Sequence, residues 1–450
     1  MTGLPGRSVS STSKPTRRRR ARLRRTLTLG VAACAGAALT GVSTGPGEAA
    51  PIDDFYTPPA QFATDPGSVI KSEPMPIFLA PPGIGPWPLN AQKVMYTSRT
   101  QDDVPVAVSG TYIEATRPWQ GTGPRPTIVV APGTVGQGRQ CAPSLAFATG
   151  LYAQITPPSI SANQEALSAL AWNALGARVF VTDYIGLGTP GVHTYVNRAE
   201  EAHAVLDAAR AADNLSGTGP ETPLAFWGYS QGGGATAAAA ELQPSYAPEL
   251  ALKGVWAGAP VADLAAVLGQ VDGNLIGGVT GYALNGFLAR YPELQPELDK
   301  RVTPEGRALL EELQGECIGD VILEHPFQHT TAITVDHRPM LDELSDIPAA
   351  MEILREQRIG DRTPTAPVLI TSGINDDTVP YGQARQLATD WCGSGATVTF
   401  RTNHLPPILP GFTLPNHFGP ELIDGYGTNG AIGYIVDRLD GKPVPDCTFD

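Results

Sequence analysis

The chain has 450 residues, with 31 Lys and Arg against 44 Asp and Glu, a formal net charge of −13, and 42% apolar residues. This is globular composition with ample apolar content for a core, and the length allows one large domain or two to three smaller ones. The first 50 residues hold nine basic residues and one acid (Glu48), so the remainder carries 22 basic and 43 acidic residues, a net of −21. Such a surface repels nucleic acid and anionic lipid headgroups, which excludes a nucleic-acid-binding role.

From the N-terminus, Arg7, Lys14, Arg17 to Arg20, Arg22, Arg24 and Arg25 precede an apolar small-residue run from about Leu27 to Val42, followed by Gly47-Glu48-Ala49-Ala50-Pro51. A basic region, a short apolar region and a small-residue cleavage site predict a secretory signal peptide over residues 1–50. The run is too short and too rich in Gly and Ala for a membrane span. Secretion is therefore expected. Val31-Ala32-Ala33-Cys34 leaves open the alternative of a lipid anchor on Cys34, and Arg24-Arg25 a twin-arginine export route. Residues 51–90 are rich in proline and predict an irregular segment wrapping the body.

Strand signals then alternate with helix signals. Strands are predicted at 93–98, 106–114, 127–131, 177–182, 223–227, 252–257, 366–371 and 396–401, and helices near 163–176, 198–213, 232–243, 381–391 and 428–439. Short apolar strands separated by helices imply an α/β fold, a mostly parallel eight-stranded sheet covered by helices on both faces. Residues 262–364 lack a clear parallel strand and are rich in helix formers. They predict a helical cap inserted after the sixth strand, between a core segment at 51–261 and a second at 365–450. The alternative is a separate small domain.

One stretch carries chemistry. The apolar run Leu224 to Trp227 leads into Gly228-Tyr229-Ser230-Gln231-Gly232 and then an alanine-rich helical run. Strand, Gly-x-Ser-x-Gly, helix is the nucleophile elbow of α/β-hydrolases. Both glycines are needed so that strand and helix can approach closely around a strained serine. In 50 glycines the bare motif arises by chance, and the strand-then-helix context is what gives it weight. A serine nucleophile needs a base, and the base needs an orienting acid, in the chain order Ser, acid, His. The loop after strand 366–371, Gly373-Ile374-Asn375-Asp376-Asp377-Thr378-Val379-Pro380, offers Asp376 as the acid, with Asp377 as second choice. After the last strand stand two histidines, His404 and His417; His417, shortly before the final helix, is the expected base and His404 the runner-up. The oxyanion is expected to meet backbone N–H groups of Gln231 and of Thr134, in the Gly-rich loop Pro132 to Gly138.

Apart from Cys34, the cysteines are Cys141, Cys317, Cys392 and Cys447, an even number that suggests two disulfides in an exported protein. Three pairings are possible. Cys141–Cys317 with Cys392–Cys447 is preferred, the latter tying the C-terminal tail to the last αβ unit. No Cys-x-x-Cys occurs, no metal site is expected, and the chemistry requires no cofactor.

Four stretches resemble the secretory lipase family typified by Candida antarctica lipase A, in its actinobacterial branch. They are Pro132-Gly133-Thr134 with Cys141-Ala142-Pro143-Ser144; Asp183-Tyr184-Ile185-Gly186-Leu187-Gly188 with His193-Thr194-Tyr195 and Leu206 to Ala211; Gly228 to Gly233; and Asp437-Arg438-Leu439 with Gly441 and Cys447. The resemblance covers the whole chain beyond residue 50. It implies a cofactor-free lipase or esterase, with a helical cap over a Ser–Asp–His triad at Ser230, Asp376 and His417. The chain departs from the family pattern at Tyr434, where a tryptophan is expected, and in the lengthened stretch Pro406 to Pro415. Gly-Tyr-Ser-Gln-Gly also resembles cutinases, but those chains are much shorter and have no such cap.

The expected function is hydrolysis of lipid esters such as triacylglycerols through an acyl-enzyme, with a lipid or small ester as substrate and transient contact with lipid interfaces. The alternatives are a non-catalytic surface or lipid-binding protein on the same scaffold, or a peptidase of the same fold. Oligomeric state is not legible.

Overall fold

The computed structural model describes residues 53–75, 90–155 and 158–450. The predicted signal peptide, Cys34 and, within the proline-rich segment, residues 51–52 and 76–89 lie outside the described residues.

The strands are β1 Val69–Pro74, β2 Asn90–Arg99, β3 Pro105–Glu114, β4 Thr127–Ala131, β5 Leu151–Ile155, β6 Pro158–Ala162, β7 Arg178–Thr182, β8 Leu224–Tyr229, β9 Leu252–Gly258, β10 Val368–Gly373, β11 Val398–Asn403 and β12 Cys447–Phe449. Ten of them form one sheet, in the order β1-β2-β3-β7-β4-β8-β9-β10-β11-β12, while β5 and β6 pair separately. The four strands at one side run antiparallel, and from β7 through β12 the pairing is parallel. All eight predicted strands are present. Among the described residues the count of eight is corrected to ten, because β1 and β12 were not foreseen. β1 is a half-exposed, polar strand (Val-Ile-Lys-Ser-Glu-Pro) with no apolar alternation to mark it, and β12 is only three residues long.

The helices are α1 Pro143–Ala146, α2 Glu165–Ala174, α3 Arg198–Ser216, α4 Gln231–Tyr246, α5 Leu264–Val271, α6 Val279–Leu288, α7 Gln295–Asp299, α8 Pro304–Leu313, α9 Ile318–Glu324, α10 Met340–Ser345, α11 Pro348–Glu356, α12 Tyr381–Gly393, α13 Gly419–Tyr426 and α14 Ala431–Leu439. Strand side chains alternate between the two faces of the sheet. Ile128, Val130, Ala225 and Trp227 join one apolar cluster with Trp172 of α2 and Ile435 of α14. Val129, Ala131, Leu224 and Phe226 join the other with α3, α4 and Trp391 of α12. Central parallel strands therefore bury both faces, as their unbroken apolar sequences require.

Between β9 and β10 the chain forms α5 to α11 and adds no strand to the sheet. With β1 counted, this interval follows the seventh strand of the sheet rather than the sixth. Its apolar residues, among them Leu264, Leu284, Leu313 and Leu354, belong to the same cluster as Ile128 and Trp227. Among the described residues two disulfides are present, Cys141–Cys317 and Cys392–Cys447, the preferred pairing. The second fastens β12 to α12, which explains how a three-residue strand holds the sheet edge. Among the described residues no helix is long and apolar enough to cross a membrane.

Candidate active site

β8 is buried along its whole length, and Ser230 follows it directly, at the N-cap of α4. Ser230 takes φ 59° and ψ −121°, backbone that L-residues rarely adopt and that costs about 1–3 kcal/mol. Ser230 N–H donates to Gly258 O at 2.9 Å, which helps hold the turn. The two flanking glycines are sterically required. A Cβ on Gly228 would lie 2.1 Å from Gly232 O, and one on Gly232 would lie 2.0 Å from Ala131 O. These contacts are backbone on both sides, so no rotamer change could relieve them.

Asp376 lies in the turn after β10. Its Oδ1 accepts from the N–H groups of Thr378 and Val379, both at 2.9 Å, leaving Oδ2 to face His417 Nδ1 at 2.7 Å. An ionised carboxylate can only accept, so Nδ1 carries the ring proton and Nε2 presents its lone pair. Nε2 lies 2.8 Å from Ser230 Oγ. His417 is buried on a wide helical turn, Leu414–Phe418, and Tyr229 OH donates to its carbonyl at 2.7 Å. The residue beside the serine therefore fixes the backbone of the histidine that faces it. His404 is exposed just past β11 and does not join this group. Asp377 turns the other way. Its Oδ2 accepts from Gly411 N and Asn416 Nδ2, at 2.7 and 2.8 Å, and so anchors the loop that carries His417.

Gln231 is the first residue of α4, where an N–H has no partner within the helix and the helix dipole is positive. Thr134 follows β4. Thr134, Ser230 and His417 line one cavity of about 400 Å³, whose other walls include Leu151, Ile160, Ile276, Ile322 and Leu414. The Thr134 loop is held residue by residue. Tyr184 OH donates to Pro132 O at 2.9 Å, Gly133 N–H donates to Glu165 Oε1 at 3.1 Å, and Thr134 Oγ1 shares a 2.8 Å hydrogen bond with Tyr195 OH. Burial pushes the Glu165 carboxyl up to about 7, against the pull of the Gly133 N–H and the Ser168 hydroxyl. The Cys141–Cys317 disulfide and backbone bonds from Gln137 N and Gly138 N to Glu316 O tie the loop to the start of α9.

Sequence reasoning singled out Ser230, Asp376, His417, Gln231 and Thr134. The structure joins the first three in one hydrogen-bonded chain and sets Gln231 next to the serine and Thr134 on the wall of the same cavity. Sequence reasoning gave no site role to Tyr229, Glu165, His193, Tyr195 or Glu201, buried polar residues that hold His417, Thr134 and its loop, and Gln231. Elsewhere, Glu312, Glu316, Glu324 and His325 bring ligand-type atoms within 4.8 Å of one another, but none of them lines the Ser230 cavity.

A ten-stranded, mostly parallel sheet with helices on both faces and a serine on a strained strand-to-helix turn defines the α/β-hydrolase fold. Residues 153–447 match the secretory lipase family, and the chain belongs to that family. It is 26% identical to a secreted triacylglycerol lipase of Malassezia restricta, over 87% of this chain and 80% of the relative. It is 29% identical to a Mycobacterium tuberculosis protein described as a probable inactive lipase, over 88% and 84%. In structure it resembles Candida antarctica lipase A in its closed state, with TM-score 0.72, 24% identity and 89% of each chain covered. It also resembles a mutant form of the rice cell wall degrading esterase LipA of Xanthomonas oryzae, with TM-score 0.64, 18% identity and coverage of 84% and 98%. At these identities the structural likeness speaks to the fold.

Proposed function

We propose that the protein is an exported serine carboxylic-ester hydrolase that acts on lipid esters such as triacylglycerols. The observation that carries this reading is the unbroken Asp376–His417–Ser230 relay at the wall of an apolar cavity. Ser230 Oγ attacks the ester carbonyl while His417 Nε2 takes its proton. His417 then protonates the leaving alcohol, an acyl-Ser230 ester remains, and water activated by His417 hydrolyses it. Asp376 keeps Nδ1 protonated and stabilises the imidazolium. The N–H groups of Gln231 and Thr134 hold the oxyanion.

An apolar acyl chain suits the aliphatic cavity wall. Leu151, Leu323 and Leu414 line the cavity and are also exposed, at 47%, 72% and 55%, which gives the mouth an apolar rim suited to a lipid surface. The helical interval 262–364 acts as a cap. The basic–apolar N-terminus, two disulfides and relatives named as secreted support export. A non-catalytic role is the second reading, because one similar protein is described as probably inactive. Hydrolysis of emulsified tributyrin and of p-nitrophenyl esters by wild type and Ser230→Ala separates the two. Turnover by wild type and its loss in the variant are expected. Wild type inactive on every ester, or a variant with wild-type turnover, contradicts it, and cleavage of amide substrates alone would favour a peptidase.

A further inference from the structure

The stretch from Asp183 to Tyr195, between β7 and α3, contributes no group to the relay, yet it reaches both oxyanion donors. His193 is buried with its Nδ1 2.9 Å from Ile185 O. A carbonyl can only accept, so Nδ1 carries the proton and Nε2 is an acceptor. Gln231 Nε2 lies 3.1 Å from that Nε2 and 2.7 Å from Glu201 Oε1, so one amide group donates to both. Gln231 Oε1 has no hydrogen-bond partner among the described residues, and the side chain is therefore oriented by what it donates to. Two residues further on, Tyr195 OH bonds Thr134 Oγ1 at 2.8 Å. The His193 ring is stacked with Tyr184, at 5.8 Å, and meets the edge of Tyr195, at 6.0 Å. Tyr184 in turn holds Pro132 O.

We infer that His193 and Tyr195 are positioning residues for the oxyanion hole: His193, with Glu201, locks Gln231, and Tyr195 locks Thr134, so one short loop sets the separation of the two N–H donors. The inference rests on the proposed serine hydrolase reading and deepens it. Two donors that start on different elements, the head of α4 and the loop after β4, must point at one oxygen within a few tenths of an ångström to stabilise it. A common brace from a third element does this. Burial pushes the His193 imidazole down to about 4, which keeps it neutral and able to accept across the working pH range. Neither residue lines the cavity, so each acts through its partner.

The test is a double-mutant cycle with p-nitrophenyl butyrate. Tyr195→Phe keeps the ring and removes one hydroxyl, and Thr134→Val removes its partner while keeping the N–H. Each is expected to lower kcat about tenfold with KM within about twofold, because the lost interaction matters only to the transition state. The double variant should lose no more than either single one, and Thr134→Ser, which keeps the hydroxyl that Tyr195 bonds, should regain most of the kcat lost in Thr134→Val. His193→Phe and Gln231→Leu should form a second such set. If His193→Phe does not fold, the Tyr195 and Thr134 set decides alone. Tyr195→Phe at wild-type kcat, losses that multiply in the double variant, or a loss confined to KM would overturn the inference. Ser230→Ala serves as the control: if it keeps turnover, the hydrolase reading itself fails, whereas an inactive Ser230→Ala beside a fully active Tyr195→Phe removes only the bracing role.

Discussion

Replacing Asp376 by Asn should switch off turnover without unfolding the protein, for a reason that can be worked out atom by atom. Oδ1 of Asp376 accepts from two backbone N–H groups, those of Thr378 and Val379, each at 2.9 Å. An asparagine keeps both bonds only if its carbonyl oxygen takes that place, which turns its NH2 toward His417 Nδ1. The reverse orientation would set the NH2 against two N–H donors and forfeit two buried hydrogen bonds, at about 1–3 kcal/mol each. Nδ1 must then accept, so the ring proton moves to Nε2, 2.8 Å from Ser230 Oγ, and no lone pair is left to act as base. In the serine-protease precedent the same change lowers kcat by about 10⁴, or about 5.5 kcal/mol of barrier. The assay is steady-state hydrolysis of p-nitrophenyl butyrate beside a thermal melt. A kcat near 10⁻⁴ of wild type, with KM and melting temperature little changed, is expected. Asp377→Asn, which alters a loop anchor and leaves the relay intact, should stay within about tenfold. Asp376→Asn with kcat within tenfold of wild type would refute the reasoning.

Three other perturbations probe the elbow, the cavity and a buried carboxyl separately. Gly232→Ala forces a Cβ to 2.0 Å from Ala131 O and should destabilise by about 3 kcal/mol or more in urea unfolding; a loss under 1 kcal/mol would show that the elbow is not tightly packed. Ile160→Trp narrows the cavity and should lower the laurate-to-butyrate ratio of kcat/KM by tenfold or more, whereas an unchanged ratio would place the acyl chain elsewhere. The Glu201 carboxyl is pushed up to about 8 by burial, from 4.5, so its protonated form favours the fold: that stability is complete below about pH 4.5 and is lost as pH rises toward 8. Glu201→Gln, which stays neutral, should flatten the fall in melting temperature between pH 5 and 8, and identical slopes in both proteins would contradict the assignment.

Much of this was legible in the sequence because apolar burial leaves a periodic trace. β4, β8 and β10 are buried on both faces and read as continuous apolar runs, and the elbow residues stand between such a run and a helix. The choice between His404 and His417 was harder, because Pro406 to Pro415 carries no periodicity that fixes where the chain turns back. The fold supplies what the spacing lacks: Asp377 anchors Gly411 and Asn416, and Tyr229 grips the carbonyl of His417. β1 escaped because its residues are half exposed and polar, and β12 because a disulfide, not length, holds it in place. The contacts of the Thr134 loop and Gln231 were not legible for a different reason. His193, Glu201 and Tyr195 are buried polar groups whose value lies in partners far along the chain, and a histidine or glutamate in a sequence does not announce whether its neighbour will be water or Gln231.

The central claim is that Ser230 is an activated nucleophile and not simply a buried hydroxyl on a hydrolase scaffold. Labelling with a fluorophosphonate probe, followed by peptide mass mapping, tests it directly. A single adduct is expected, on Ser230, formed in step with loss of ester hydrolysis and absent from both Ser230→Ala and His417→Ala. An unlabelled Ser230 in folded wild-type protein, or full ester hydrolysis after its removal, would contradict it.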